Sequence, residues 1–404
     1  MVNSIKTFLK QVGKDYQNQS VNPPVVRAST IIFKTLQDIK KTQSNYKKNP
    51  LSKNFDYGRK GTSTTFALQE LLRKIENAYQ VYLTPTGFGA VFLGVISVVR
   101  PGDEIIITDS VYSPTRFLTE DYLKKFNIKA VFYDPKNLDD LKKKITNKTK
   151  LIFVENPGSN TFEFQDLKKI LSFAKNKNIY TAIDNTWGTP YLIKPLDLGF
   201  DMSIVSATKY YSGHSDVMGG SLAIKKRLFK EVELSQKAVG LRLSPDDAYL
   251  IMRGLRTLDI RLDKHQENTI KVANFLSKQK KVKEVFYPIK KNIKQYKMWK
   301  KYYSGSSGLM GVKIISKNKN SVIKFLNKLK LFAHGYSWGG FESLALYQDK
   351  LALGNRSYTK LSNNEHIIRL HIGLEDPNDL IADIKQAIKS VRWMTPNFFQ
   401  QKKH

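Results

Sequence analysis

The chain has 404 residues, and its 67 lysines and arginines outnumber its 35 aspartates and glutamates, which gives a formal net charge of +32. This length is sufficient for two domains with sizeable buried cores. Cysteine is absent, so disulfides and a thiolate nucleophile are excluded. The basic residues are mostly lysines spread along the whole chain, not arginines clustered with aromatic residues. This pattern favours a solvated, lysine-rich surface over a specific nucleic-acid site.

Neither a membrane span nor a secretion signal is predicted. The longest apolar stretch, residues 88–99, is interrupted by glycine and is too short to cross a bilayer. The N-terminal segment lacks the apolar core and the small-residue cleavage site of a signal peptide. We therefore expect a cytoplasmic protein without a membrane partner.

The first 58 residues are predicted to form an arm, because Pro23 and Pro24 interrupt regular structure and residues 47–54 are polar. A helix is predicted at 66–80, where apolar residues recur at helical spacing. Strands and helices then alternate. The predicted strands are residues 81–83, 104–108, 130–133, 151–154, 179–183, 202–206 and 221–224. The predicted intervening helices are residues 87–99, 113–126, 138–145 and 166–176.

These strands are continuously apolar and are separated by helices. The combination predicts an α/β domain over residues 59–255, with a large, mostly parallel sheet covered on both faces. A long helical stretch at 245–278 then leads into a segment that no longer shows the regular alternation of strands and helices. Its predicted elements, strands with helices on one side, are residues 311–315, 322–329, 344–347, 366–371 and 380–391. We interpret residues 256–404 as a smaller C-terminal α+β domain.

Two polar residues follow apolar strands of the large domain. Asp184 follows the strand at 179–183, and Lys209 comes shortly after the strand at 202–206. Ligands of α/β sheets bind outside the carboxyl ends of the strands. A lysine there can form a Schiff base and a carboxylate can pair with a pyridinium nitrogen, which is the pairing that pyridoxal 5'-phosphate (PLP) requires. For Asp184 alone, capping of a turn is the structural alternative.

Further candidates surround this pair. Ser206 and Thr208 carry hydroxyls that could bind a phosphate, and Gly87 and Phe88 lie in a strand–helix turn whose amides could do the same. Tyr112 follows the strand at 104–108, where an aromatic ring can either stack on a cofactor or pack in the core.

The small domain offers a polar, glycine-rich segment at 336–343 and an arginine, Arg369, within a predicted strand. A charge inside a strand is costly unless it is paired. Arg369 could form a buried ion pair, or it could grip a substrate carboxylate with two parallel hydrogen bonds. The six histidines show no metal-ligand spacing, so no metal site is expected.

Several ordered segments resemble the cysteine/methionine-metabolism family of fold-type-I PLP-dependent enzymes, and in particular its branch that cleaves cystathionine by β-elimination. The resemblance extends from Tyr57 to Val391. The segments that carry it are YGRKGTSTTFALQ, VENPGS, AIDNTWGTP, SATKYYSGHSDVMGG, RGLRTLDIRL, YSGSSGL, YSWGGFESL and IRLHIGLED.

The resemblance implies a role for each candidate. Lys209 would carry the cofactor and act in catalysis with Tyr112, which would also stack on the ring, while Asp184 would pair with the ring nitrogen. The implied phosphate ligands are Gly87, Phe88, Ser206 and Thr208, with Tyr57 and Arg59 reaching the cofactor of a neighbouring subunit. The implied substrate-binding residues are Ser337, Arg369, Tyr336 and Trp338.

The implied activity is conversion of L-cystathionine to homocysteine, pyruvate and ammonia by a homo-oligomer, most often a dimer of dimers in this family, whose arm contacts the neighbouring subunit. The segment around Trp338 resembles the β-eliminating form, and the alternatives are γ-lyase and γ-synthase activity. Reprotonation from either side, by Lys209 or Tyr112, predicts slow racemisation of small amino acids. A non-enzymatic alternative, nucleic-acid binding by the basic surface, predicts affinity that falls steeply with salt.

Overall fold

The computed structural model describes residues 4–11, 14, 19–49, 51, 56–289, 294–349, 353 and 356–389. The predicted arm lies partly outside these residues. Within its described part are helices α1 (Ile5–Gln11) and α2 (Leu36–Lys48). A short 3-10 turn, Gly58–Lys60, and helix α3 (Ser63–Ile75) lead into the first sheet.

The large sheet has seven strands in the order β1-β7-β6-β5-β4-β2-β3. β7 pairs antiparallel with both of its neighbours, and all other neighbouring pairs are parallel. The predicted fold class, an α/β protein with a mostly parallel large sheet, is therefore confirmed. The strands are β1 (Gln80–Thr84), β2 (Glu104–Thr108), β3 (Lys129–Tyr133), β4 (Thr149–Glu155), β5 (Tyr180–Asp184), β6 (Met202–Ser206) and β7 (Gly220–Ile224).

Helices cover both faces of this sheet. Successive side chains of a strand point to opposite faces, and β2 illustrates the result: Ile106 belongs to one buried cluster, whereas Ile105 and Ile107 belong to the other. Burial on both faces explains why the strands are apolar without alternation. The associated helices are α4 (Gly87–Val98), α5 (Ser113–Phe117), α6 (Leu138–Lys144), α7 (Leu167–Asn176), α8 (Thr189–Leu192), α9 (Pro195–Leu198), α10 (Phe229–Val239) and α11 (Pro245–Leu255).

Two predicted helices are subdivided. The helix predicted at 113–126 begins as α5, continues as a π-helical turn at Leu118–Tyr122 and ends as a 3-10 turn at Leu123–Phe126. The stretch predicted at 245–278 is two helices, α11 and α12 (Leu258–Ser277), with a turn between them. The expected domain boundary at 255 falls at this turn.

The second sheet is smaller and entirely antiparallel, in the order β10-β11-β9-β8. Helices α12 and α15 pack against each other beside it. Its strands are β8 (Val282–Phe286), β9 (Leu309–Ile315), β10 (Leu344–Gln348) and β11 (Glu365–His371), and its further helices are α13 (Lys294–Tyr302), α14 (Lys319–Asn327) and α15 (Pro377–Lys389). The predicted end of the last helix at Val391 lies outside the described residues. Among the helices that are described, none has the length and apolarity needed to cross a membrane.

Candidate active site

The candidate site lies where three parallel strands end. In the register of β4 and β5, Glu155 pairs with Asp184, so the last residues of these two strands are neighbours. β6 ends at Ser206, and a turn closed by a hydrogen bond from the Lys209 amide to the Ser206 carbonyl (3.1 Å) brings Lys209 to the same edge.

Lys209 is half-buried between the two sheets. Its Nζ donates a hydrogen bond to Ser337 Oγ and lies 5.3 Å from the centre of the Trp338 ring. Burial lowers the pKa of Lys209 to about 8, with a further contribution from the positive Arg369, while the negative Asp184 opposes the shift. A substantial fraction of this amine is therefore neutral near physiological pH, which is the form that attacks a carbonyl.

Asp184 is also half-buried, and its Oδ1 accepts a hydrogen bond from the Thr186 amide (2.9 Å). Burial raises the pKa of Asp184, opposed by the hydrogen bonds of Thr186 and by the charge of Lys209. The carboxylate thus caps its turn, as the structural alternative anticipated, and it is also near the lysine. A cationic group placed beside it would favour its charged form.

Tyr112 precedes α5, and 47% of its surface is exposed. Its backbone amide donates a hydrogen bond to Glu155 Oε2 (2.6 Å). Burial raises the pKa of the Tyr112 phenol, and the negative charge of Asp184 adds to the shift. The phenol therefore remains protonated around neutral pH.

The amino terminus of α4 faces the end of β6. The first N–H groups of a helix have no intrahelical partner and attract anions. Thr86 Oγ1 caps the helix by accepting from the Gly89 amide (2.9 Å), which leaves the amides of Gly87 and Phe88 in the first turn. A Cβ atom on Gly87 would lie 2.4 Å from Ser206 Oγ, so only glycine permits this approach.

The two candidate hydroxyls differ in their surroundings. Thr208 Oγ1 donates to the Gly219 carbonyl (3.2 Å) and accepts from the Gly219 amide (3.0 Å). For Ser206 Oγ, the described part of the chain offers no hydrogen-bond partner. Ser206 is therefore free to bind a ligand, whereas Thr208 is already engaged with the loop that precedes β7.

Arg369 approaches Lys209 from β11 of the small sheet. Its Nη2 donates to the Ser337 carbonyl (3.0 Å), and burial lowers its pKa to about 10. No carboxylate among the described residues forms an ion pair with it, so the buried ion pair considered as a structural alternative is not seen there. An arginine with spare donors is suited to bind a carboxylate ligand.

The segment between Ser337 and Glu342 lies against the lysine. Ser337 has a φ of +77°, and Gly339 has a φ of +91°. A Cβ atom on Gly339 would lie 3.0 Å from the Lys209 backbone. His371 Nε2 accepts from the Gly339 amide (3.1 Å), and its Nδ1 donates to the Glu342 carbonyl (2.9 Å). Burial holds the pKa of His371 well below its usual value, so the neutral ring can serve both contacts.

The residue after the lysine, Tyr210, is buried among side chains of the small sheet and its helices. Its ring centre lies 5.4 Å from that of His265, 5.5 Å from that of Trp338 and 6.0 Å from that of His371. Its hydroxyl accepts a hydrogen bond from the Gly308 amide (2.9 Å).

Three predicted site residues are less closely associated with this group. The Arg59 guanidinium lies 5.7 Å from the ring centre of Tyr57, and the Arg59 carbonyl accepts a hydrogen bond from Arg242. Tyr336, which directly precedes Ser337, has 90% of its surface exposed. The other predicted residues converge on one edge of the large sheet. They are Lys209, Asp184, Tyr112, Gly87, Phe88, Ser206, Thr208, Ser337, Trp338 and Arg369.

Two residues with direct contacts in this region were not predicted as site residues. Glu155 ends an apolar strand just as Asp184 does, so the same reasoning about strand ends could have identified it. His371 lies two residues from Arg369, but its contact with Gly339 depends on a loop conformation that leaves no signal in the sequence.

The arrangement fits PLP on several observations. The missing Cβ of Gly87, the α4 amides and Ser206 Oγ provide room and donors for a phosphate. The amine of Lys209 and the carboxylate of Asp184 are near each other, as the cofactor requires. Within the described ranges, no cluster of three or more histidines and carboxylates could hold a metal ion.

Comparison with known proteins gives a consistent result. Residues 6–389 match the family described as Cys/Met metabolism PLP-dependent enzyme. The chain is 37% identical over 382 residues to cystathionine beta-lyase of Haemophilus influenzae (94% of this chain, 96% of the relative). It is 35% identical over 391 residues to L-alanine/L-glutamate racemase of Wolbachia pipientis (95% and 96%).

The fold of the chain also matches that of a solved structure. Cystathionine gamma synthase of Xanthomonas oryzae superposes with a TM-score of 0.87 at 28% sequence identity, covering 96% of this chain and 98% of that one. With the family match extending from the first described helix to the last, the chain belongs to the Cys/Met metabolism family of PLP-dependent enzymes.

Proposed function

We propose that this enzyme is a carbon–sulfur lyase that converts L-cystathionine and water to homocysteine, pyruvate and ammonia. The observation that carries the proposal is the amine of Lys209, which is hydrogen-bonded to Ser337 Oγ, interacts with the charges of Asp184 and Arg369, and has a pKa lowered to about 8. The likeness to the Haemophilus beta-lyase over almost the whole chain supports this substrate.

Lys209 would hold PLP covalently, Asp184 would pair with the ring nitrogen and Tyr112 would stack on the ring. The bound cofactor supplies an electron sink for the charge left at the substrate Cα. The neutral amine of Lys209 would accept the proton from the substrate Cα and would then deliver a proton to the departing sulfur. An amine with a pKa near the working pH can perform both transfers.

The remaining roles follow the same geometry. The amides of Gly87 and Phe88, with the hydroxyl of Ser206, would hold the phosphate. The hydroxyl of Thr208 would join them by giving up its hydrogen bond to the Gly219 carbonyl. Arg369 and Ser337 would bind the substrate α-carboxylate. They would be flanked by Trp338, which is 5.3 Å from the lysine nitrogen, and by the exposed Tyr336.

Tyr57 and Arg59 would act on the cofactor of a neighbouring subunit. In support, their side chains contact each other and not the Lys209 group of their own chain. The proposal therefore includes a homo-oligomer of at least two subunits, and a dimer of dimers is the assembly that the family resemblance implies. It also includes a location in the cytoplasm.

The decisive assay measures both possible keto-acid products from cystathionine. β-Elimination yields pyruvate, whereas γ-elimination yields 2-oxobutyrate. We expect pyruvate in large excess, and a Lys209→Ala variant should yield neither product. A predominance of 2-oxobutyrate would favour the γ-lyase alternative, and no product from cystathionine at all would exclude both.

Racemisation is a second candidate activity, favoured by the 35% identity to the Wolbachia alanine and glutamate racemase. The site holds two separate proton-carrying groups, the amine of Lys209 and the phenol of Tyr112, whose raised pKa keeps it protonated. If one removes the Cα proton and the other returns it, L-alanine becomes D-alanine with no net change in protons.

Chiral chromatography after long incubation with L-alanine tests this activity. We expect D-alanine to accumulate slowly with the wild-type enzyme and to be strongly reduced in Tyr112→Phe, which keeps the ring but lacks the proton. Unchanged L-alanine in the presence of active lyase would rule out racemisation.

A further inference from the structure

We propose that Glu155 is a positioning residue: as a neutral carboxylic acid it fixes the backbone of Tyr112 and leaves Asp184 as the negative charge at this strand edge. This inference rests on the proposed function, because Tyr112 and Asp184 are the groups expected to stack on and pair with the cofactor ring. It concerns a residue to which the proposed function assigns no direct contact with substrate or cofactor.

The first support is the strand register. Glu155 and Asp184 are partners in the parallel pair of β4 and β5, so both side chains leave the sheet on the same face. Neighbouring residues on one face of a sheet have Cβ atoms roughly 5 Å apart. Two ionised carboxylates at that separation repel each other, and one of them holds its proton more tightly.

The second support is the hydrogen bond from the Tyr112 amide to Glu155 Oε2, at 2.6 Å. Tyr112 is the N-terminal flanking residue of α5, and its side chain makes no cap of that helix. The position of its ring therefore depends on the backbone, and Glu155 is the side chain that holds this backbone.

The third support is the absence of a direct counter-ion. The positive charge of Arg356 acts on Glu155, but the hydrogen bonds of Arg356 go to other residues. Its Nη1 donates to Thr161 Oγ1 (2.6 Å) and its Nη2 to the Ser159 carbonyl (2.6 Å). Within the described residues, no ion pair reaches Glu155.

The electrostatics agree with a neutral Glu155. Burial raises its pKa well above the usual value, and the negative Asp184 adds to the shift. The Tyr112 amide, the Ser159 hydroxyl and the positive Arg356 oppose it without cancelling it. A neutral carboxyl can still accept the Tyr112 hydrogen bond through its carbonyl oxygen.

Two substitutions separate charge from position. Glu155→Gln is neutral and keeps an acceptor oxygen, so we expect PLP affinity and the KM for cystathionine within about twofold of wild type. Glu155→Ala removes the acceptor that fixes the Tyr112 backbone, so it should weaken PLP binding about fivefold or more and raise KM more than it lowers kcat. The visible circular dichroism of the bound cofactor should weaken in Glu155→Ala alone.

The protonation state is read directly by infrared spectroscopy of the apoprotein. The C=O stretch of a protonated carboxyl should be present at pH 7 in wild type and lost in Glu155→Gln. Glu76→Gln is the matched control, because Glu76 is another buried glutamate, with a pKa raised to about 7 by burial, whose partner is Tyr211. That variant should lose its own carboxyl signal and leave the cofactor dichroism unchanged.

The inference is overturned if Glu155→Gln removes no protonated-carboxyl signal, or if it weakens PLP binding as much as Glu155→Ala does. The infrared readout needs neither the cofactor nor a folded Glu155→Ala variant. An apoprotein that shows the Glu155 signal but binds no PLP would therefore refute the proposed function and leave the protonation of Glu155 established.

Discussion

The amine of Lys209 and the hydroxyl of Ser337 are hydrogen-bonded although 128 residues separate them in the chain. Lys209 follows a strand of the large parallel sheet, whereas Ser337 lies in a loop of the small antiparallel sheet. Neither sheet alone contains the candidate site, because the lysine and Asp184 come from one and Ser337 and Arg369 from the other.

Lys209→Ala should abolish covalent retention of PLP and reduce pyruvate formation by at least about 10²-fold, because both proton transfers of the proposed reaction use this amine. Borohydride reduction followed by peptide mapping should place the label of the wild-type protein on Lys209. Lys226→Ala, an exposed lysine after β7, is the control and should retain label and activity. A label on any other lysine would contradict the assignment.

The capture of PLP by the apoprotein should depend on pH. Only the neutral amine attacks the cofactor aldehyde, so with a Lys209 pKa of about 8 the rate should rise with pH and level off above that value. Stopped-flow measurement of the developing visible absorption gives the midpoint. A midpoint near 10.5, the ordinary lysine value, would show that the site does not perturb this amine.

Removing the charge of Arg369 should move that midpoint to higher pH. The positive guanidinium disfavours the Lys209 ammonium, so in Arg369→Met the pKa of Lys209 should rise. Arg253→Met, at an exposed arginine on α11, should leave the midpoint in place. A midpoint that is the same in Arg369→Met and wild type would mean that burial alone sets the pKa.

Arg369→Lys keeps a positive charge but loses the planar fork of donors. We expect KM for cystathionine to rise roughly tenfold to hundredfold, with a smaller fall in kcat, because a two-point hydrogen bond to the carboxylate is lost. Steady-state kinetics provide both parameters. An unchanged KM would place the substrate carboxylate elsewhere.

Ser337 adopts a left-handed backbone conformation that is unfavourable for residues with a Cβ atom. Ser337→Gly and Ser337→Ala both remove the hydroxyl that accepts from Lys209, and both should lower activity. Ser337→Gly should nevertheless be about 0.5–1 kcal/mol more stable than Ser337→Ala, since only glycine relieves the strain. Thermal denaturation of the two variants compares them, and equal stability would argue against strain at this position.

A buried ion pair near Tyr112, formed by residues that are not candidate site residues, provides a test of folding stability. Arg116 and Asp109 are 2.6 Å apart, and their side chains are only 7% and 1% exposed. Arg116→Met should cost about 3–5 kcal/mol, because Asp109 is left buried without its counter-ion. Arg100→Met breaks an exposed pair with Glu231 and should cost less than about 1 kcal/mol. Denaturant titration measures both, and similar losses would contradict the argument from burial.

Much of the large sheet could be predicted from the sequence, because its strands are buried on both faces and their apolar runs end sharply. The strand predicted at 104–108 coincides with β2, and the ends of β5 and β6 led directly to Asp184 and Lys209. The elements that were missed lack this signal. Strand β8 has two charged residues at its centre and no fully buried residue, and helices α2 and α13 bury no residue.

The site could be predicted only where local sequence determines position. Residues at strand ends and at Gly87, where α4 begins, could be named as candidates, since their chemistry and their place in the fold are both visible in the sequence. The approach of Ser337 to Lys209 depends on how the two sheets pack, and the pairing of Glu155 with Asp184 depends on strand register. Both relationships arise from tertiary structure and have no local pattern.

Lys209 and Tyr210 are consecutive, yet one carries the reactive amine and the other is embedded among aromatic rings of the opposite sheet. A single peptide bond thus links the amine of the candidate site to the aromatic contact between the large and the small sheet. Any change in how the two sheets pack around Tyr210 would therefore also act on the backbone that bears the Lys209 amine.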